Sequence, residues 1–168
     1  RIGCSAFLGG ISNNYSTNFL INHNSDYVVV EADEYDRSFL RLSPFFSLIT
    51  SIAEDHLDIY GNLDNLEQAF IQFANLTDKN GRLFLKNNLP VKIESEVPKT
   101  TYSLIDVDAD CYASNIRVSE GAYYFDFHTP DKVYHDMKMT YPGRHNIENA
   151  VASLSMALSL GVNECEFR

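Results

Sequence analysis

Val28-Val29-Val30-Glu31-Ala32-Asp33-Glu34-Tyr35-Asp36-Arg37-Ser38-Phe39 is the stretch on which the reading of the fold turns. Three β-branched residues lead straight into four acids, Glu31, Asp33, Glu34 and Asp36. A short continuous apolar run reads as a buried strand of a parallel sheet. The acids begin where that strand ends, and open α/β sheets bind ligands beyond the carboxyl ends of their strands. A second stretch repeats the pattern: Phe46-Ser47-Leu48-Ile49-Thr50-Ser51-Ile52, then Glu54-Asp55-His56-Leu57-Asp58. Two strand ends carrying acids and a histidine point to one oxygen-rich cation site at the sheet edge.

Working outward, residues 1–20 read as a short strand around Cys4-Ser5-Ala6-Phe7-Leu8-Gly9-Gly10-Ile11, then a polar loop. Strands are expected over 27–31 and 46–52, with a short helical turn over 36–42 between them. Leu63, Leu66, Phe70, Phe73 and Leu76 recur at helical spacing, and Asn62 or Asp64 is placed to cap that helix. Strands follow over 82–86 and 100–103. Strand alternating with helix predicts an α/β fold: a mostly parallel, Rossmann-like sheet flanked by helices. Alternating patterns over 110–118, 122–128 and 133–141 predict a small antiparallel three-stranded sheet, either separate or extending the first. A last helix opens at Pro142-Gly143-Arg144-His145-Asn146, buries Ile147, Ala150, Val151, Leu154, Ala157 and Leu158, and stops at Gly161.

The 168 residues suit one globular domain, 1–168, with 110–141 as its antiparallel part. A net charge of -10 argues against a nucleic-acid-binding face. Three widely spaced cysteines, Cys4, Cys111 and Cys165, argue against a disulfide framework or a zinc site and favour a reduced, cytoplasmic setting. No apolar run approaches the roughly 18 residues of a membrane span. The chain begins Arg1-Ile2-Gly3 without Met, which reads as a piece of something longer. No G-x-x-x-x-G-K-[ST] loop occurs in it.

Glu31 continues the apolar strand pattern, where an unpartnered carboxylate would be expensive, so a cation is the expected partner. Asp33, Glu34 and Asp36 read more simply as acids at a helix start. His56 is either a metal ligand with an adjacent acid behind it or an exposed loop histidine. Arg144, His145 and Asn146 open a helix, and Asn149 lies one turn on. That terminus can receive a phosphate or nucleotide, or Asn146 can simply cap it.

Three blocks together resemble the central, ATP-binding domain of the Mur ligases of peptidoglycan synthesis. They are Glu31-Ala32-Asp33-Glu34-Tyr35-Asp36-Arg37-Ser38-Phe39-Leu40, the run from Ile49 through Asp55-His56-Leu57-Asp58-Ile59-Tyr60-Gly61, and Tyr141-Pro142-Gly143-Arg144-His145-Asn146-Ile147-Glu148-Asn149-Ala150. The resemblance implies an ATP- and Mg2+-dependent carboxylate–amine ligase. It implies Glu31 and His56 as the metal-site residues, with Arg144, His145, Asn146 and Asn149 near the nucleotide. Gly9 and Gly10 match more loosely a glycine pair near the muramyl substrate. Within the family, the Asp55-His56-Leu57-Asp58 block is most similar to the branch joining L-alanine to UDP-N-acetylmuramate; a branch that joins a whole murein tripeptide is the nearest rival. The phosphate loop and the N- and C-terminal domains of that family fall outside these residues, so the 168 residues alone are expected not to catalyse ligation. Two readings of other classes are a metal-dependent phosphohydrolase using Glu31, Asp33, Asp55, His56 and Asp58, and a non-catalytic binding module.

Overall fold

The structure is a computed structural model that describes residues 3–167. It divides into two compact units, Arg1–Leu42 and Ser43–Arg168, each described by itself.

Among the described residues the first unit is built on three strands, β1 (Ser5–Ser12), β2 (Thr17–Leu20) and β3 (Val28–Val30), in the order β2-β1-β3. β1 pairs antiparallel with β2 and parallel with β3. Thr17–Leu20 is therefore a strand where the sequence suggested only polar loop. The turn before it places Ser16 at a φ of 52°, a geometry that composition does not reveal. The valine run is a strand, but not a buried one: Val28, Val29 and Val30 are 59%, 51% and 41% exposed. β3 is an edge strand with β1 on one side, so a continuous apolar run has here marked strand but not burial. The 3-10 turn Ser38–Arg41 follows, and Phe39 is buried within it.

The second unit carries a six-stranded sheet among the described residues. Its strands are β4 (Phe46–Ile49), β5 (Arg82–Lys86), β6 (Lys99–Ser103), β7 (Cys111–Ser119), β8 (Ala122–His128) and β9 (Val133–Met139), in that spatial order. β4 to β7 pair parallel, while β7, β8 and β9 pair antiparallel. The α/β class is as expected, and the meander extends the parallel sheet through β7. The β7–β8 turn puts Glu120 and Gly121 at φ of 50° and 75°, the two positive values that a tight hairpin matching the strand twist requires. Gly81 answers a different demand. A Cβ there would stand 1.7 Å from the Phe45 carbonyl oxygen, so only hydrogen lets the two backbones meet at the start of β5.

The helices are α1 (Leu57–Tyr60), α2 (Leu63–Asn75), α3 (Arg144–Ser159) and the short α4 (Glu164–Phe167). Asn62 caps α2, accepting a hydrogen bond from the Asn65 N–H at 2.8 Å. α3 packs on β5, β6 and β7. Ile147, Val151 and Ala152 of α3 meet Tyr102, Cys111, Ala113, Phe125, Phe127 and Met137 of the sheet in one buried cluster. At about 25 cal/mol per Å² of apolar area removed from water, such a cluster is the main force fixing the helix to the sheet. It thereby sets where the first turn of α3 stands. Burial pushes the Cys111 thiol pKa up, with the Asp110 charge adding to it against a hydrogen bond with Ser155.

Candidate functional site

In the first unit, β1 and β3 run in register with Phe7 opposite Val30. Glu31 comes next, and its N–H still donates to the Phe7 carbonyl at 2.9 Å. The side chain therefore leaves the carboxyl end of β3 alongside β1. There Oε2 accepts a hydrogen bond from the Gly9 N–H at 2.7 Å. A Cβ on Gly9 would stand 2.9 Å from Oε1 and 3.1 Å from Oε2, so the carboxylate occupies the space the glycine leaves. Gly10, the other half of the expected glycine pair, has nothing within 4 Å of a built Cβ and takes no part in this contact.

The acids after Glu31 do different work. Asp33 Oδ1 accepts from the Tyr35 N–H at 2.9 Å, and Asp36 Oδ1 accepts from the Ser38 N–H at 2.8 Å. Hydrogen bonds from the Ser38 side chain and backbone hold the Asp36 carboxyl below its ordinary pKa. Both aspartates thus shape their own loop in the manner of Asx turns. Glu31 is the acid that reaches back over the sheet.

The chemistry of this donor suits one kind of ion. Mg2+ prefers hard oxygen ligands and often takes only one or two carboxylates from the protein, filling its octahedron with water and phosphate oxygens. A carboxylate with one oxygen fixed by a backbone N–H fits that use. Among the described residues no group of three or more His, Cys, Asp and Glu stands ready to cage an ion without such outside ligands.

In the second unit, His56 sits at a φ of 55° and ψ of 32°, the left-handed region that histidine enters more readily than most residues. Its carbonyl accepts from the Ile59 and Tyr60 N–H groups at 2.9 and 3.1 Å, and the buried Tyr60 anchors that turn. The Asp55 carboxylate accepts from the His56 N–H at 2.8 Å and lies 3.6 Å from His56 Nδ1. α1 was not legible in the sequence; the sharp backbone reversal at His56 starts it.

Parallel pairing of Ile49 with Leu85 means that the segment leading to His56 leaves the sheet at the edge where β5 ends in Lys86. Lys86 Nζ stands 2.9 Å from Oε2 of Glu148, the fifth residue of α3. This ion pair, to which the sequence reading gave no role, ties the helix N-terminus to that edge. A lysine at the carboxyl end of a parallel strand was the available signal. Arg144, His145 and Asn149 of α3 are exposed, and Asn146 is half-buried. Asn146 does not cap α3: its Nδ2 donates to the Pro142 carbonyl at 2.6 Å, and Gly143 is the cap residue, with no side-chain cap bond. The His145 imidazole lies against Gly143, with Cε1 2.6 Å from where a Cβ would be. An α-helix leaves its first N–H groups without intrahelical partners, and these form the positive end of the helix dipole. Sequence and fold thus bring the four α3 residues and the exit toward His56 to one edge of the parallel sheet, the edge at which such sheets bind ligands.

The description Mur ligase middle domain matches residues 10–157. The chain belongs to the Mur ligase family. Among curated Mur ligases, a UDP-N-acetylmuramate–L-alanine ligase of Porphyromonas gingivalis is 45% identical over 170 residues, covering 100% of this chain and 37% of the relative. One of Christiangramia forsetii is 46% identical over 159 residues, covering 95% of this chain and 33% of the relative. The chain thus spans about a third of the length of these relatives. The crystal structure of a UDP-N-acetylmuramate-alanine ligase from Thermotoga maritima superposes with a TM-score of 0.79 at 27% identity, covering 97% of this chain and 36% of that one. A tripeptide-adding ligase from Neisseria meningitides shares the fold at a TM-score of 0.78 and 20% identity, covering 96% of this chain and 54% of that one.

Proposed function

We propose that these residues form the ATP-binding middle part of a cytoplasmic ligase that joins L-alanine to UDP-N-acetylmuramate. The observation that carries this reading is 45% identity across the whole chain to a ligase of that name. The geometry supports it: a carboxylate held at the end of β3, and the N-terminal part of α3 tied through Glu148 to the carboxyl edge of the parallel sheet.

In this reading a carboxylate oxygen of the muramyl group attacks the γ-phosphorus of ATP, the β–γ bridging P–O bond breaks, and ADP leaves. The alanine amine then attacks the acyl carbon, phosphate departs, and the nitrogen loses a proton. Mg2+, when bound, neutralises charge on the phosphate oxygens. Glu31 would supply it a hard oxygen, and the resemblance assigns His56 to the metal as well. The exposed start of α3 offers the nucleotide Arg144 and His145, with Asn149 one turn on, while Asn146, folded back on Pro142, fixes the entry to the helix. Gly9 and Gly10 are assigned by the same resemblance to the muramyl side. Among the described residues, no helix is long and apolar enough to cross a membrane.

The test uses the whole polypeptide that contains these residues, supplied with ATP, Mg2+ and UDP-N-acetylmuramate. Phosphate release should depend on L-alanine and fall at least a hundredfold in Glu31→Ala, the scale expected when charge stabilisation at a transferring phosphoryl group is lost. Turnover with the tripeptide and none with alanine would overturn the substrate assignment. Hydrolysis of a simple phosphoester without alanine would favour a phosphohydrolase instead.

A further inference from the structure

We propose that Gly9 is a positioning residue for Glu31: its backbone N–H orients the carboxylate for the cation, and its missing side chain keeps that orientation open. This rests on the reading of Glu31 as a metal ligand and moves Gly9 from the muramyl side of the site to the metal side.

The argument begins with the ladder. β1 and β3 pair in parallel through Phe7 and Val30, and the Glu31 N–H continues the pattern by donating to the Phe7 carbonyl at 2.9 Å. One residue further, a parallel ladder would send the Gly9 N–H to the Glu31 carbonyl. It goes instead to Glu31 Oε2, at 2.7 Å. The backbone bond on one side of Glu31 and the side-chain bond on the other hold the residue at two points. A surface glutamate otherwise samples many rotamers, and ordering it on binding costs side-chain entropy that weakens the bound state. Here much of that ordering is present before any cation arrives. Oε2 keeps the N–H, and Oε1 is left to ligate.

The glycine is needed for a second reason. A Cβ at position 9 would lie 2.9 Å from Oε1, 3.0 Å from Cδ and 3.1 Å from Oε2. Each is closer than an ordinary van der Waals contact, and each belongs to the mobile end of a side chain rather than to backbone. Glu31 is exposed, so the carboxylate would swing away at little cost to the fold. Gly9→Ala is therefore expected to separate function from stability: the sheet survives and the carboxylate is misplaced. Outer groups that orient metal ligands typically change affinity by about 10- to 100-fold when altered.

The experiment follows Mn2+, in the presence of ADP, by electron paramagnetic resonance on the whole polypeptide. Wild type, Gly9→Ala, Glu31→Gln and the double variant are compared, with thermal midpoints measured alongside. Gly9→Ala should weaken Mn2+ binding about tenfold with a midpoint within a few degrees of wild type, and should add nothing further once Glu31 is glutamine. In parallel, the Gly9 amide proton resonance of wild type should lie downfield and move upfield in Glu31→Gln, a readout that needs no substitution at position 9. Unchanged Mn2+ affinity in Gly9→Ala, with a loss in Glu31→Gln, would overturn the positioning role and leave the metal reading standing. Unchanged affinity in Glu31→Gln would overturn the metal reading itself. A Gly9 resonance indifferent to Glu31→Gln would overturn the hydrogen bond.

Discussion

Breaking the Lys86–Glu148 ion pair should loosen the N-terminal turn of α3 and do so in a measurable, non-additive way. The two charged atoms stand 2.9 Å apart, on side chains 36% and 20% exposed. At an effective dielectric constant near 20, the gross attraction is roughly 6 kcal/mol. Most of that is offset by the water both groups give up and by the rotamer entropy of a long lysine. What remains should exceed the roughly 0.2–1 kcal/mol of a fully exposed pair and fall at the low end of a charged hydrogen bond, about 1.5 kcal/mol. Lys86→Met, Glu148→Gln and the double variant form the cycle, with urea unfolding followed by far-UV circular dichroism. The expected coupling is about 1.5 kcal/mol, reduced but not abolished by 0.5 M salt, because the pair is partly shielded. The Asn146 and Asn149 amide resonances should shift in Lys86→Met. Coupling below about 0.3 kcal/mol with unmoved amides would show that the buried cluster alone places the helix and would refute the reasoning.

Gly81→Ala should be far more damaging than its size suggests, on the order of 3 kcal/mol or more by chemical denaturation, because the backbone of Phe45 has nowhere to move; a loss under 1 kcal/mol would contradict the close approach. Asp126 accepts from the Asp136 N–H at 3.0 Å and faces His135 Nδ1 at 3.2 Å. Burial works to raise its pKa, but the hydrogen bonds from Asp136, His135 and Asn115 outweigh it and leave it below the ordinary 3.8. Its folded value being the lower one, its contribution is full above pH 3.8 and fades as pH falls through the depressed folded pKa. Asp126→Asn should therefore destabilise at pH 7 and lose that difference as pH falls through the depressed folded pKa, read from melting curves across the acid range. The buried Tyr102 hydroxyl has its pKa raised, first by burial and then by the Glu148 charge. Unfolded tyrosine ionises near 10 and folded Tyr102 does not, so stability should decline above pH 10, less steeply in Tyr102→Phe.

The alternation of strand and helix, the cap at Asn62 and the last helix were legible because each has a local cause: side-chain periodicity, a short acceptor before a helix, a glycine after one. Burial of the valine run was not. Val28–Val30 has the composition of a central strand and the position of an edge strand, and position depends on partners elsewhere in the chain. Thr17–Leu20 was missed because pairing with β1, not its own pattern, makes it a strand. At the site, the strand pattern sets Glu31 apart from the acids that follow it; Asp33 and Asp36 spend their carboxylates on loop N–H groups, while Glu31 accepts from the Gly9 N–H. The contact of Gly9 with Glu31 and that of Lys86 with Glu148 join residues 22 and 62 positions apart. No local pattern announces such contacts; sheet register creates the first and helix packing the second.

β7 belongs to two kinds of ladder at once, parallel on the β6 side and antiparallel on the β8 side. Its antiparallel partner β8 follows through the two-residue turn Glu120-Gly121, so the meander closes small loops and assembles early, whereas β4 and β5 join the sheet only across the long connections 50–81 and 87–98. The finished hairpins then present β7 as a preformed template on which β6, β5 and β4 accrete in turn. Chains refolding from denaturant should acquire amide protection from the meander end of the sheet inward, with β7 the strand from which the parallel ladder then builds.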